Sequence, residues 1–301
     1  MTRLARLASS QLFNVPLMIE PVKAEVIVAA LQERIGVASF QRIDGVTLDA
    51  LELSASASDA RPLARSEYDD GRTIVVDGVA IIEVDGTLVH KFGYLRPFSG
   101  MTGYDGIARH LRNAMADPQV KAIWLDIDSP GGAVAGCFAL ADEISRCTRY
   151  AGGKPIWAYV NEQACSAAYA LACVCDKVFG PEEAVAGSIG AYVMHVDLTA
   201  ALDKEGVKVE MIRAGAEKAK AGPYEVMEDR TRQKLQAWVD ETRDRFAKVV
   251  AQARGLSVAK VMATEADWFG AADAVNLGLM DGILSEADAW AKLQRSIARA
   301  S

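Results

Sequence analysis

Short apolar runs rich in β-branched residues alternate with helix-spaced amphipathic segments along most of this chain, and that alternation constrains the fold more than any other feature. Residues 79–84 (VAIIEV) and 122–127 (AIWLDI) have the length of strands, and residues 104–115 between them form an amphipathic segment. Residues 156–160, 178–179, 191–196 and 207–212 read as further strands. Residues 135–146, 166–175, 199–205 and 228–254 read as helices, and Ser257 as the cap of a short one. Strands that alternate with helices build βαβ units, whose crossovers bring successive strands into a mostly parallel sheet. The expected class is therefore α/β.

The texture differs near the ends. Residues 1–52 place Ile27, Val28, Leu31 and Ile35 at helical spacing and suggest a small helical N-terminal arm. Residues 53–72, from Ser54-Ala55-Ser56-Ala57-Ser58-Asp59 to Asp69-Asp70-Gly71-Arg72, are small, polar and charged, and read as a linker. The main domain is expected over 73–285, with a tail over 286–301. In the helix expected at 228–254, Leu235, Trp238, Val239, Thr242, Phe246, Val249 and Val250 make a stripe suited to core or subunit packing.

Composition narrows the function. With 51% hydrophobic and 24% charged residues over 301 positions, the chain can bury a full core and is not disordered. A net charge of −7 without a Lys/Arg cluster excludes a general nucleic-acid binder, because phosphate binding depends on clustered cations. Cys137, Cys147, Cys165, Cys173 and Cys175 form an odd set without zinc-ligand spacing, which fits a reducing compartment and packing roles. Arg3 and Arg6 could open a signal peptide, but Glu20, Lys23 and Glu25 interrupt the apolar residues that follow. With no uncharged stretch of roughly 18 residues either, no membrane anchor is expected.

Four constellations carry chemistry. Ser129-Pro130-Gly131-Gly132 follows an expected strand and precedes a helix, where backbone N–H groups can hold a developing negative charge. Alone, such a sequence is a common turn. Asn161-Glu162-Gln163-Ala164-Cys165-Ser166-Ala167-Ala168-Tyr169 presents Ser166 among small residues after another expected strand, so both motifs fall at the carboxyl edge of one sheet. Ala214-Gly215-Ala216-Glu217-Lys218 supplies a lysine, with Lys220 as its rival; a lysine becomes a base only when burial drives off its proton. Gly187-Ser188-Ile189-Gly190 offers a hydroxyl between two glycines. His90, His110 and His195 have no matching carboxylate motif, and Cys165 has no His/Asn partner pattern, so a histidine triad and a thiol nucleophile are both disfavoured.

Taken together these motifs resemble the signal peptide peptidase A family of serine proteases, which work with a Ser/Lys dyad. The resemblance implies a ClpP/crotonase-like fold, Ser166 as nucleophile, Lys218 as general base, Ser188 orienting the lysine, and an oxyanion hole near Gly131, Gly132 and Ala167, with no metal or cofactor. Two departures stand out: Ser166-Ala167-Ala168 replaces the family's Ser-Gly-Gly, and Ala214 replaces the serine of its Ser-Gly-x-x-Lys. Pro16-Leu17-Met18-Ile19-Glu20-Pro21, Gly86-Thr87-Leu88-Val89 and residues 97–104 (PFSGMTGY) are similar to the phage branch of the family, the capsid assembly proteases of lambdoid phages. That branch implies cleavage of scaffold, portal or the protease itself, inside proheads in the host cytoplasm, with the major capsid protein as a further partner and a homo-oligomer as the working form. In single-domain cellular relatives the serine of one protomer meets the lysine of the next. Phage proteins of this type often continue into a scaffolding domain, whereas this sequence stops soon after its last expected helix. The rival readings are a soluble peptidase that degrades signal peptides in a host, and a catalytically dead capsid-core component.

Overall fold

The computed structural model describes residues 17–19, 39–41, 47–49, 73–91 and 100–299. Its strands are β1 (Leu17–Ile19), β2 (Ser39–Gln41), β3 (Thr47–Asp49), β4 (Ile74–Val76), β5 (Val79–Asp85), β6 (Thr87–Val89), β7 (Met101–Gly103), β8 (Ala122–Ser129), β9 (Gly131–Ala133), β10 (Ile156–Cys165), β11 (Lys177–Gly180), β12 (Val185–Gly187), β13 (Trp268–Gly270) and β14 (Gly282–Ile283). Its helices are α1 (Tyr104–Ala116), α2 (Cys137–Cys147), α3 (Ala167–Ala172), α4 (Thr199–Lys204), α5 (Asp229–Arg254), α6 (Val258–Met262), α7 (Ala271–Leu277) and α8 (Glu286–Ala298).

The main sheet runs β13-β12-β10-β8-β5-β4, with β11 and β14 continuing from the lower part of β10. Pairings β5–β8, β8–β10, β10–β11, β10–β12 and β11–β14 are parallel, and the edge pairings β4–β5 and β12–β13 are antiparallel. The sheet is mostly parallel, as the βαβ alternation requires. β8 is buried at almost every position, which explains its near-continuous apolar sequence: a central parallel strand is covered on both faces.

One face packs under α1, α2, α3 and α5. Ile107, Leu111 and Ala114 recur along α1, and Phe246, Val250 and Ala251 along α5, so each helix turns one apolar stripe inward. The other face carries Trp124, Trp157, Tyr159 and Phe179, covered by Ala289, Leu293 and Ile297 of α8. The segment from Glu286, expected as a tail, is thus a packed helix whose N-cap Ser285 hydroxyl accepts from the Asp288 amide at 3.2 Å. Trp124 stacks on Tyr159 at 5.2 Å and meets Trp290 edge-on at 5.3 Å.

A second sheet, β1-β9-β6-β7, sits over the carboxyl end of the first. In it β9 lies between β6, parallel, and β1, antiparallel, in the register Leu17↔Ala133, Met18↔Gly132, Ile19↔Gly131. β2 and β3 form a separate antiparallel pair. The described parts of residues 1–52 are therefore strands; the helical spacing at 27–35 and the linker at 53–72 lie outside the described residues.

Two expected strands are corrected. Residues 191–196 hold only isolated bridges at Tyr192 and Met194, and the strand beside β10 is instead β12, earlier in the chain. Residues 207–212 have extended-strand composition but no strand pairing among the described residues, and Val207, Val209, Met211 and Ile212 are all exposed. Strand propensity is realised only where a neighbour supplies backbone partners. Ser257 caps α6 as expected, its hydroxyl accepting from the Lys260 amide at 3.1 Å.

Candidate active site

Ser166 occupies the junction where β10 ends and α3 begins, with φ 54° and ψ −119°. A non-glycine residue at positive φ costs on the order of 1–3 kcal/mol and persists only where the surroundings enforce it. Here the strand before it and the helix after it do so. The Ser166 amide donates to Gly187 O at 2.9 Å, and its carbonyl accepts from the Ala170 amide at 3.0 Å. The position is that of a helix N-cap, yet the side chain caps nothing, which leaves the hydroxyl available for chemistry. The residue is 2% exposed and its neighbours Cys165, Ala167 and Ala168 are buried.

The end of β10 is re-aimed to reach this point. Val160 pairs with Ile127 but Ala164 pairs with Ser129, so β10 carries two more residues than β8 across that interval. Such a bulge bends the strand and increases its twist. Below, Tyr169 on α3 donates its hydroxyl to Leu279 O at 2.9 Å, next to Asp281, whose carboxylate takes Arg254 at 2.8 Å, Lys177 at 2.9 Å and the Val178 amide at 2.9 Å. Burial would raise the Asp281 carboxyl, but Lys177 and Arg254 outweigh it and hold the group below its usual range.

Gly131, on β9, faces the serine, and Gly132 after it packs against the Leu88 backbone of β6. A side chain at Gly131 would force its surroundings to shift: its Cβ would lie 2.9 Å from Ser166 Cβ, 2.9 Å from Cys165 O and closer still to Met18 O. Gly131 also sits at φ 100°, open to glycine and strained for other residues. Its N–H donates to Ser129 Oγ at 3.2 Å, and that hydroxyl donates in turn to Gly86 O at 2.6 Å. Ser129 thereby holds the Pro130-Gly131 turn from beneath. Tyr104 fixes the far end of β9 by donating to Ala133 O at 2.8 Å. Ala167, first residue of α3, carries one of the amides that an α-helix leaves without an internal acceptor.

Ser188 follows directly on Gly187, at φ 53°, and its amide donates to Asp267 O at 2.8 Å. The strand pairing Cys165↔Gly187 brings this turn alongside the serine. Ser166, Ala167, Gly131, Gly132 and the Gly187-Ser188 turn therefore converge on one sheet edge. Lys218 does not join them in the single chain. It lies between α4 and α5, its amide donating to Gly215 O at 3.1 Å and its side chain exposed. Lys220, its rival, is held by Glu228 at 2.6 Å.

The cysteines are packing residues. Cys137, Cys165, Cys173 and Cys175 are buried, and burial pushes the Cys137 and Cys173 thiols up to about 12. Among the described residues no helix is long and apolar enough to cross a membrane. Ser129, Tyr104 and Tyr169 support the site in ways that sequence reasoning did not single out. For Ser129 the motif Ser129-Pro130-Gly131-Gly132 was signal enough to place it nearby; the two tyrosines carry no such signal.

Ser166 thus stands at positive φ at a strand-to-helix junction of a mostly parallel α/β sheet, with a glycine of β9 packed against it. Residues 149–298 match peptidase family S49, and the chain carries a peptidase S49 domain, the signal peptide peptidase A type to which the sequence motifs pointed. Two phage proteins are similar over nearly all of it. The "Capsid assembly protease C" of Escherichia phage lambda is 39% identical over 286 residues, 93% of this chain and 63% of that protein. The "Head-tail preconnector protein GP5" of Enterobacteria phage P21 is 41% identical over 278 residues, 92% of this chain and 54% of that protein. The chain thus spans under two thirds of the length of either relative. Among solved structures, a point mutant of ClpP1 from Listeria monocytogenes overlaps 69% of this chain and 92% of its own, with 13% identity and a TM-score of 0.41. The fold class itself rests on the strand pairings above.

Proposed function

We propose that this chain is a serine endopeptidase with a Ser/Lys dyad that acts in phage prohead maturation, on scaffold, portal or itself. The observation that carries the reading is Ser166: a buried serine at φ 54°, at a strand-to-helix junction, whose hydroxyl caps no helix and which touches a glycine strand. A serine in that conformation carries a strain cost, and strain of this kind clusters at active sites.

In the proposed mechanism Ser166 Oγ attacks the peptide carbonyl while the neutral Lys218 amine takes its proton. The oxyanion is met by the N–H groups of Gly132 and Ala167, with that of Gly131 behind them on Ser129. The C–N bond then breaks, Lys218 passes the proton to the departing nitrogen, and water hydrolyses the ester with the lysine again as base. Ser188 orients the lysine amine. Lys218 is exposed in the single chain, so the dyad is completed by closure of its segment or by a second copy. The small residues around Ser166 favour cleavage after small or apolar residues. No cofactor enters the scheme.

The biological setting is drawn from the names of the two phage relatives. On that reading the enzyme works in the host cytoplasm, inside proheads, with scaffold, portal and major capsid proteins as partners. A casein or labelled-peptide assay of wild type against Ser166→Ala tests the chemistry. Activity that survives Ser166→Ala overturns the assignment, and copurification with proheads tests the setting.

A further inference from the structure

The strand that covers the active-site glycines comes from this chain's own N-terminal region. β1 pairs antiparallel with β9, and its register sets Met18 opposite Gly132. Antiparallel addition of an extended segment to an open strand edge is how many peptides are bound, main-chain pairing giving affinity and alternate side chains specificity. Met18 behaves as such an anchor: it is 0% exposed and belongs to the main core cluster. Its carbonyl oxygen and the Ser166 Cβ both lie within 2.9 Å of one point, the site where a Cβ on Gly131 would stand. The Met18 carbonyl and the candidate nucleophile therefore share the same face of the same glycine.

We propose that Leu17–Ile19 lies in the substrate cleft as a built-in substrate, and that the enzyme's first cut falls between Met18 and Ile19. This rests on the peptidase reading above and adds its first substrate and bond. Met18 is apolar, as the surroundings of Ser166 favour. In the cut, Ser166 Oγ bonds to the Met18 carbonyl carbon and the bond from that carbon to the Ile19 nitrogen breaks. The hydroxyl proton passes through the lysine amine to that nitrogen, which leaves as a free amine. Water then adds to the Met18 ester, giving the Met18 carboxylate and restoring Ser166. While the exposed Lys218 stands apart from Ser166, the segment rests uncut and keeps other chains off the β9 edge. Once the cut is made, the edge is free for substrates in trans.

The test uses the full chain, intact-protein mass and an added casein substrate. Wild type should yield a chain beginning at Ile19, and Ser166→Ala should not. Met18→Asp puts a charge into an apolar position and should slow the cut at least about tenfold, whereas Met18→Leu should stay near wild type. Amide exchange across β8 and β10 checks that each variant is folded, and exchange at residues 131–133 should rise in Met18→Asp. Wild type that digests casein while keeping its N-terminus, or that cuts itself only at another bond, overturns the inference and leaves the peptidase reading standing. A folded wild type that cuts neither casein nor itself overturns both.

Discussion

The amide of Ser166 is hydrogen-bonded to the carbonyl of Gly187 at 2.9 Å, so the candidate nucleophile and the turn that presents Ser188 are joined through the backbone. Gly187 itself stands at φ 129°, and a Cβ there would meet Asp267 O at 2.9 Å and Phe269 Cδ2 at 3.1 Å. Gly187→Ala must shift this turn and, through it, Ser166. It should lower stability by about 1–3 kcal/mol and cut activity by more than that loss explains. Thermal unfolding alongside a peptide assay at a temperature where both proteins are folded separates the two effects; unchanged turnover would count against the link.

Gly131→Ala should be more severe for catalysis. Its methyl group has no room beside Ser166 Cβ and the Cys165 carbonyl. Displacing a reacting group by about 1 Å can cost roughly 100-fold in rate, so a loss of at least that size is expected. Gly152→Ala is the control: it too replaces a positive-φ glycine, at 84°, but its Cβ would meet nothing within 4 Å. That variant should show only backbone strain of about 1 kcal/mol and near-normal activity. Equal activity losses in the two variants would show that strain, and not crowding at the serine, is responsible.

Asp126, on β8, gives a pH signature. Burial pushes its carboxyl up to about 6, the Asn161 amide at 3.2 Å opposes the rise, and Glu286, Glu83 and Asp128 add to it. A carboxyl raised on folding binds its proton more tightly in the folded state. Its penalty is therefore absent below the unfolded value of about 3.9, grows as pH rises through about 4 to 6, and is complete above that. Asp126→Asn should thus stabilise the protein by up to about 3 kcal/mol at about pH 7.5 and by nothing near pH 3.5. Denaturant titrations at the two pH values check the sign, and an equal gain at both would refute the origin in ionisation.

How much of this was legible beforehand depends on what each residue's neighbours had to supply. β5, β8 and the start of β10 announced themselves through long apolar runs, and α1 and α5 through a stripe at helical period. β6, β7 and β9 are strands of only three residues each, TLV, MTG and GGA, too short to show a period and recognisable only once paired. The Gly-Gly turn and Ser166 could be placed on one sheet edge from strand order alone. The strain at Ser166 could not, since a serine among alanines carries no positive-φ signal of the kind that Gly or Asn gives. The strand expected at 207–212 failed for a related reason: alternating Val207, Val209 and Met211 signal a strand that wants a partner, and sequence does not say which chain provides it.

That unpaired segment motivates the last prediction, a homo-oligomer whose dyad forms between subunits. Val207, Val209, Met211 and Ile212 are exposed in the single chain, Ile212 by 93%, and Lys218 follows shortly after, also exposed. On α5 the packing stripe splits: Phe246 and Val250 enter the core, while Trp238 is 46% exposed toward the helix start. Burying such residues against a second copy would gain on the order of 1.5–3 kcal/mol for each large side chain, and the extended segment could pair with a neighbour's sheet edge, carrying Lys218 to a neighbour's Ser166. Ser166→Ala and Lys218→Ala, each inactive, should then regain partial activity when co-expressed, because some interfaces unite an intact serine with an intact lysine. Differential tags confirm that mixed oligomers form, and a peptide assay reads the rescue. Mixed oligomers as inactive as either parent would place both members of the dyad within one chain.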